Sequence, residues 1–165
     1  MRKAIGVVKA YIKIHMNSKL KTLQIIHLAL CSGVFLFAMV TILLNKDRMI
    51  FDAKFENTAP FNPIFPIIGL ITLGISIFLK NQFIAKISSS DGLDSKITQY
   101  QSAFIVSSAL LEGGALLNIV GFLITTNAFF LIFAGISLFF LIRSRPTKDK
   151  VISDLQLQYP ETEAL

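Results

Sequence analysis

The chain has 165 residues, 53% of them hydrophobic and only 16% charged, where soluble domains carry about 25% charge. A single small domain that keeps its surface wet has no room for that much apolar side chain, so the composition excludes an ordinary soluble fold and points to lipid as the surrounding medium. The one cysteine, Cys31, excludes an internal disulfide and a multi-cysteine metal site, and the net charge of +6 is sorted by segment rather than gathered into a nucleic-acid-binding surface.

In chain order, residues 1–22 form a basic segment with Arg2, Lys3, Lys9, Lys13, Lys19 and Lys21. Residues 1–15 read either as an amphipathic helix on anionic lipid or as an extension ahead of a true start at Met16. The first apolar run, 23–44, has the length of about 20 residues that a helix needs to cross a hydrocarbon core of about 30 Å. It starts too late, runs too long and lacks the small-residue cleavage site of a signal peptide. A loop follows at 45–60. The second run, 61–80, opens with Pro63 and Pro66, placed where a helix tolerates proline. A loop at 81–100 contains the turn-forming stretch 88–92. The third run, 101–125, carries Glu112 and Asn118 inside it, and a tight turn at 126–127 leads to the short fourth run, 128–143. The tail, 144–165, is polar, with a short helix expected over 149–158 and a mobile end after it.

These four runs predict an all-α, integral membrane four-helix bundle. Thirteen basic residues fall on the side of residues 1–22, 81–100 and 144–165, counting Lys80 and Arg143 at the ends of the second and fourth runs, and three (Lys46, Arg48 and Lys54) on the other. The positive-inside rule then puts both termini in the cytoplasm of a multi-pass inner-membrane protein.

Shifted by eighty positions, the first run overlies the third: Ile25, Ala29, Leu30, Gly33, Leu36, Val40 and Leu43 recur as Ile105, Ala109, Leu110, Gly113, Leu116, Val120 and Leu123. Gly74-Ile75-Ser76 and Gly135-Ile136-Ser137 link the second and fourth runs. The pattern suggests a parallel duplication of a two-helix hairpin. Ala29 and Gly33, like Ala109 and Gly113, lie one turn apart on a helix face, and small residues so spaced let backbones approach closely in lipid. The first and third spans are therefore expected to cross there, at the centre of the bundle, with the phenylalanine-rich fourth span turned more to lipid.

An acidic residue at the depth of Glu112 costs about 2.5–3.5 kcal/mol on insertion scales. In its protonated form it donates one hydrogen bond and accepts others. Ser108, a turn earlier, and Ser32, its neighbour by the repeat, are the candidate partners. With His27, shallower on the first span, they define a polar cluster on one half of the bundle. Such a carboxyl–imidazole set suits a proton relay; equally, Glu112 and Asn118 serve as polar glue between helices, and His27 reaches toward headgroups.

The runs LKTLQIIHLALCSGVFLF (20–37) and SALLEGGALLNIVGFLI (108–124) resemble small uncharacterised bacterial four-span proteins, in which an I-H-x-A-L-x-x-G first helix precedes an A-L-x-E-G third helix. The resemblance covers residues 16–145 and implies the fold without an activity. The architecture is also similar to the duplicated-hairpin proteolipids of rotary ATPases, although here the acid is on the third span and the repeated glycine-rich motif of their inner helix is absent. No catalytic set, metal motif or cofactor-binding loop is present, so an enzyme is not expected. Two functions remain: a structural or accessory subunit that forms a homo-oligomer or joins a membrane complex, and a proton- or cation-coupled transport or channel component using Glu112.

Overall fold

The computed structural model describes residues 2–54 and 61–164, with side chains from 13–54 and 61–163. The proposed amphipathic face of residues 1–15 and the basic side chains of Arg2, Lys3 and Lys9 lie largely outside the described side chains. Five α-helices follow one another: α1 (Arg2–Asn45), α2 (Phe61–Ala85), α3 (Leu93–Thr125), α4 (Phe129–Arg143) and α5 (Lys148–Asp154), then a 3-10 turn at Glu161–Ala164. Three of them are long and apolar enough to cross a membrane, or four if α4 counts with α5, from which it turns by 86°.

The helices overrun the apolar runs. At about 1.5 Å per residue α3 is roughly 50 Å long, well beyond the ~30 Å of a hydrocarbon core. The expected loop 81–100 shrinks accordingly to the turn between Ala85 and Leu93, with Gly92 leading into α3. Thr126, in the left-handed conformation (φ 57°), ends α3, and its N–H caps the carbonyl of Phe122.

Helix α3 is the hub. Half of its most apolar stretch is buried, against 17% for α1 and 22% for α2. It packs on α1, α2 and α4, whereas α1 and α2 hardly meet. Two hairpins related by duplication would make α1 pack on α2 as α3 packs on α4; the observed pairing departs from that expectation.

The expected crossing at Ala29, Gly33, Ala109 and Gly113 is also corrected. Ala29 and Ala109 are exposed, and a Cβ on Gly33 or Gly113 would meet nothing. The close approach lies between α2 and α3 instead. A Cβ on Gly69 would come 2.5 Å from Asn118 Nδ2, and one on Gly114 would collide with Thr72 Oγ1. Successive helical residues differ by about 100° in direction, so moving one position from Gly113 to Gly114 turns the side chain from open surroundings to α2. The α1–α3 seam is built by Val34 and by Leu111, Ala115 and Ile119, joined by Ala134 and Leu141 of α4. Helix α4 is more interior than expected, with Phe130, Ala134, Ser137 and Leu141 all buried.

At the loop end of the bundle the segment after α1 pairs with the α3–α4 turn. Ile50 N–H donates to Thr126 O (3.1 Å) and Ala128 N–H to Ile50 O (2.8 Å). Buried Asn127 ties the two together: its Nδ2 donates to Asp52 O at 2.7 Å, while its Oδ1 accepts from the N–H groups of Asp52 and Phe129, both at 3.0 Å.

The opposite end, the base, has its own apolar core. Met16, Leu20 and Leu23 of α1 meet Ile97, Tyr100 and Phe104 of α3, together with Val151 of α5 and Leu157 of the tail. The tail expected to be mobile is thus docked, and α5 stops at Asp154 rather than 158. Thr147 caps α5 by accepting from Lys150 N–H.

The seam assignment predicts that Gly114→Leu, by forcing α2 from α3, destabilises the detergent-solubilised protein by about 1–3 kcal/mol in a denaturation titration followed by circular dichroism. Gly74→Leu, where an added Cβ meets nothing, lacks that effect. Equal effects at the two glycines would contradict the seam.

Candidate functional site: polar side chains among the apolar helices

The polar residues singled out by sequence do not form one cluster. His27 is buried, at 6% exposure, and its Nε2 lies 2.9 Å from Leu141 O in the last turn of α4. A carbonyl only accepts, so Nε2 carries the proton. Cys31 Sγ lies 3.7 Å from the same nitrogen, and the ring tilts against Phe104. His27 therefore joins α1 to a carbonyl near the C-terminus of α4 that also accepts from Ser144 Oγ at 2.7 Å. It makes no hydrogen bond to Glu112 among the described residues.

Ser108 is fully buried on α3, and its hydroxyl has no hydrogen-bond partner. Ser32 is exposed on the outer face of α1, away from any such cluster. Asn118, fully buried, does bridge helices as expected: Nδ2 donates to Phe65 O of α2 at 3.2 Å and to Gly114 O at 2.9 Å, leaving Oδ1 unpaired.

Glu112 is partly exposed on the outer surface of α3, beside the exposed Ala109 and Gly113. It is close enough to Cys31 of α1 to interact electrostatically, but among the described residues no group hydrogen-bonds to it. Thirteen residues separate it from the end of α3 at Thr125, about 20 Å. It therefore sits in the middle of the span, on a face its own chain leaves open.

Sequence reasoning missed several polar anchors. Ser76 Oγ donates to Ser107 O at 2.8 Å, stitching α2 to α3; the shared Gly-Ile-Ser triplets were its signal, since Ser76 and Ser137 are both buried. At the base, Lys96 is buried and its Nζ donates to both oxygens of Glu161, at 2.9 and 3.0 Å. Asp154 accepts from Lys80 Nζ and Tyr100 Oη, both at 3.3 Å. Burial, reinforced by the charges of Lys80 and Arg143 and opposed by Asp154, holds the Lys150 ammonium below the ordinary lysine range. A cleft of about 680 Å³ opens between the α2–α3 turn and the tail. Its charged groups, Lys96, Asp154 and Glu161, are already paired within the chain. Among the described residues no three His, Cys, Asp or Glu side chains gather into a metal site.

No protein-family model matches the chain, nor does any curated protein or solved structure show significant similarity to it. The likenesses drawn from the first and third apolar runs rest on those motifs alone.

The Lys96–Glu161 pair predicts a tail latch. A charge-assisted bond is worth about 1.5–3 kcal/mol, so Lys96→Met raises the open population about tenfold or more. Tryptic cleavage after Lys148 and Lys150 accelerates in proportion, while Lys86→Met leaves it unchanged. Equal rates in the two variants would show that the tail is held by its apolar contacts alone.

Proposed function

We propose that this chain is a four-span subunit of the inner membrane whose work is assembly: it offers the outer face of α3 to a helix of a second copy or of another membrane protein. Four crossings with both ends in the cytoplasm are supported by two independent features. The bundle brings both chain ends to its base, and the basic residues are concentrated on that same side. Helix α4, roughly 22 Å long over 15 residues, runs beside α3 and reaches the interfaces through Ala128 and Ser144.

The observation that carries the assembly reading is the state of Glu112. A carboxyl in mid-span is costly when unsatisfied, and neither His27, Ser32 nor Ser108 satisfies it. Ala109 and Gly113 flank it on the exposed face, so a neighbouring helix can approach closely and supply a hydrogen bond from its own polar side chain. No hydrogen bond joins Glu112 to His27 among the described residues, and the side chain near both is the thiol of Cys31, a weak hydrogen-bonding group, which weakens the proton-relay reading.

Glu112→Gln keeps hydrogen bonding and removes ionisation; Glu112→Ala removes both. In vesicles, cross-linking between α3 and its partner survives the first change and falls about tenfold with the second, as expected for an interhelical bond of about 1–2 kcal/mol. A wild-type proton flux abolished by Glu112→Gln would instead establish the transport reading.

A further inference from the structure

The base carries a groove between α1 and the end of α4, separate from the Glu112 face. Its volume is about 570 Å³, within the range of about 300–1,000 Å³ typical of small-molecule sites. Lys21 and Arg145 stand at its rim; Ile25, Leu28, Cys31 and Ile142 line its depth. The floor is fixed by two bonds that join the helices: Gln24 Nε2 donates to Pro146 O at 3.0 Å, and His27 Nε2 to Leu141 O at 2.9 Å. Two polar side chains are thereby turned to the protein, which leaves the apolar ones facing outward.

Some cations of the base are paired: Lys19 with Asp94, Lys80 with Asp154 and Lys96 with Glu161. Others, Lys21, Arg143, Arg145 and Lys148 among them, form no ion pair among the described residues; of these, Lys21 and Arg145 line the groove. Along α1 the slot runs from Lys21 to Cys31, ten residues or about 15 Å, half of a hydrocarbon core of about 30 Å. Two free cations at the mouth of an apolar groove one leaflet deep match a phosphodiester headgroup with an acyl chain below it.

We propose that this groove binds one anionic phospholipid of the leaflet at the base, with the phosphate between Lys21 and Arg145 and an acyl chain against Ile25, Leu28 and Ile142. A zwitterionic choline headgroup brings its own cation to the same two charges and is disfavoured; a net-negative headgroup such as phosphoglycerol is not. The inference rests on the membrane reading, but not on assembly through Glu112.

The test is native mass spectrometry of the full chain released from detergent after equilibration with equal amounts of phosphatidylglycerol and phosphatidylcholine. The wild type retains one phosphatidylglycerol in preference to phosphatidylcholine. Lys21→Gln with Arg145→Gln lowers that preference roughly tenfold or more, at about one order of magnitude per one to two surface cations. Lys86→Gln with Lys148→Gln, which removes the same charge elsewhere on the base, leaves it intact. Leu28 is exposed, so Leu28→Trp fills the slot without disturbing the core and displaces the lipid with both cations present. Excess glycerol phosphate, which has the headgroup without the chains, does not displace it. Equal loss in the groove and control variants, retention in Leu28→Trp, or displacement by glycerol phosphate would each overturn the proposal. Recovery of the wild-type chain from cells without detergent would instead remove the membrane reading beneath it.

Discussion

The approach of α2 to α3 at Gly69 and Gly114 is the contact on which the rest of the molecule depends. In lipid no hydrophobic drive pulls helices together, so association relies on packing and on hydrogen bonds between them. The missing side chains at the two glycines bring the backbones close enough for Asn118 to reach Phe65 O and for Ser76 to reach Ser107 O. Gly121 extends the seam, lying beneath the rings of Phe65 and Phe130. Helix α4 packs against both α2 and α3, and α1 packs on α3 and α4, away from α2. Few of its residues are buried, and it is held by the Val34 seam and by the bonds of Gln24 and His27 to the end of α4.

The base makes a second point about energetics. Helices α1 and α3 are longer than a hydrocarbon core of about 30 Å, and ends that extend beyond such a core meet in water, where the ordinary hydrophobic effect acts. Met16, Leu20, Ile97, Tyr100, Val151 and Leu157 form a small core there. Around it the ion pairs of Lys19, Lys80 and Lys96 take up Asp94, Asp154 and Glu161, and no acidic side chain lines the α1–α4 groove beside Lys21 and Arg145.

Much of the architecture was legible in the sequence: four apolar runs, their order, the shared end of the two termini and Asn118 as an interhelical bond; the cluster expected around Glu112 was not there, since Ser32 faces outward and Glu112 is partly exposed. What was not legible has a common cause. A soluble helix shows its inner face by an apolar stripe, but a helix that is apolar all round gives no such sign. Choosing Gly114 over Gly113, or α3 alone as the hub, was therefore beyond periodicity, and the internal repeat pointed to residues that face outward. The anchors at Asn127 and Lys96 were hidden for another reason. Their partners, Asp52 and Glu161, lie 75 and 65 residues away, and nothing local marks such pairs. The partner of His27 was not foreseen, because its acceptor is a main-chain carbonyl that no side-chain motif announces.

The central claim is that the helices cross a bilayer with the base on one side and the Asn127 junction on the other. Single cysteines introduced on a Cys31→Ser background, at Asp47, Ser90 and Thr162, test it directly with a membrane-impermeant maleimide. In intact cells Asp47→Cys is labelled, while Ser90→Cys and Thr162→Cys react only after the membrane is opened. Labelling of Asp47→Cys and Ser90→Cys from the same side would contradict the account.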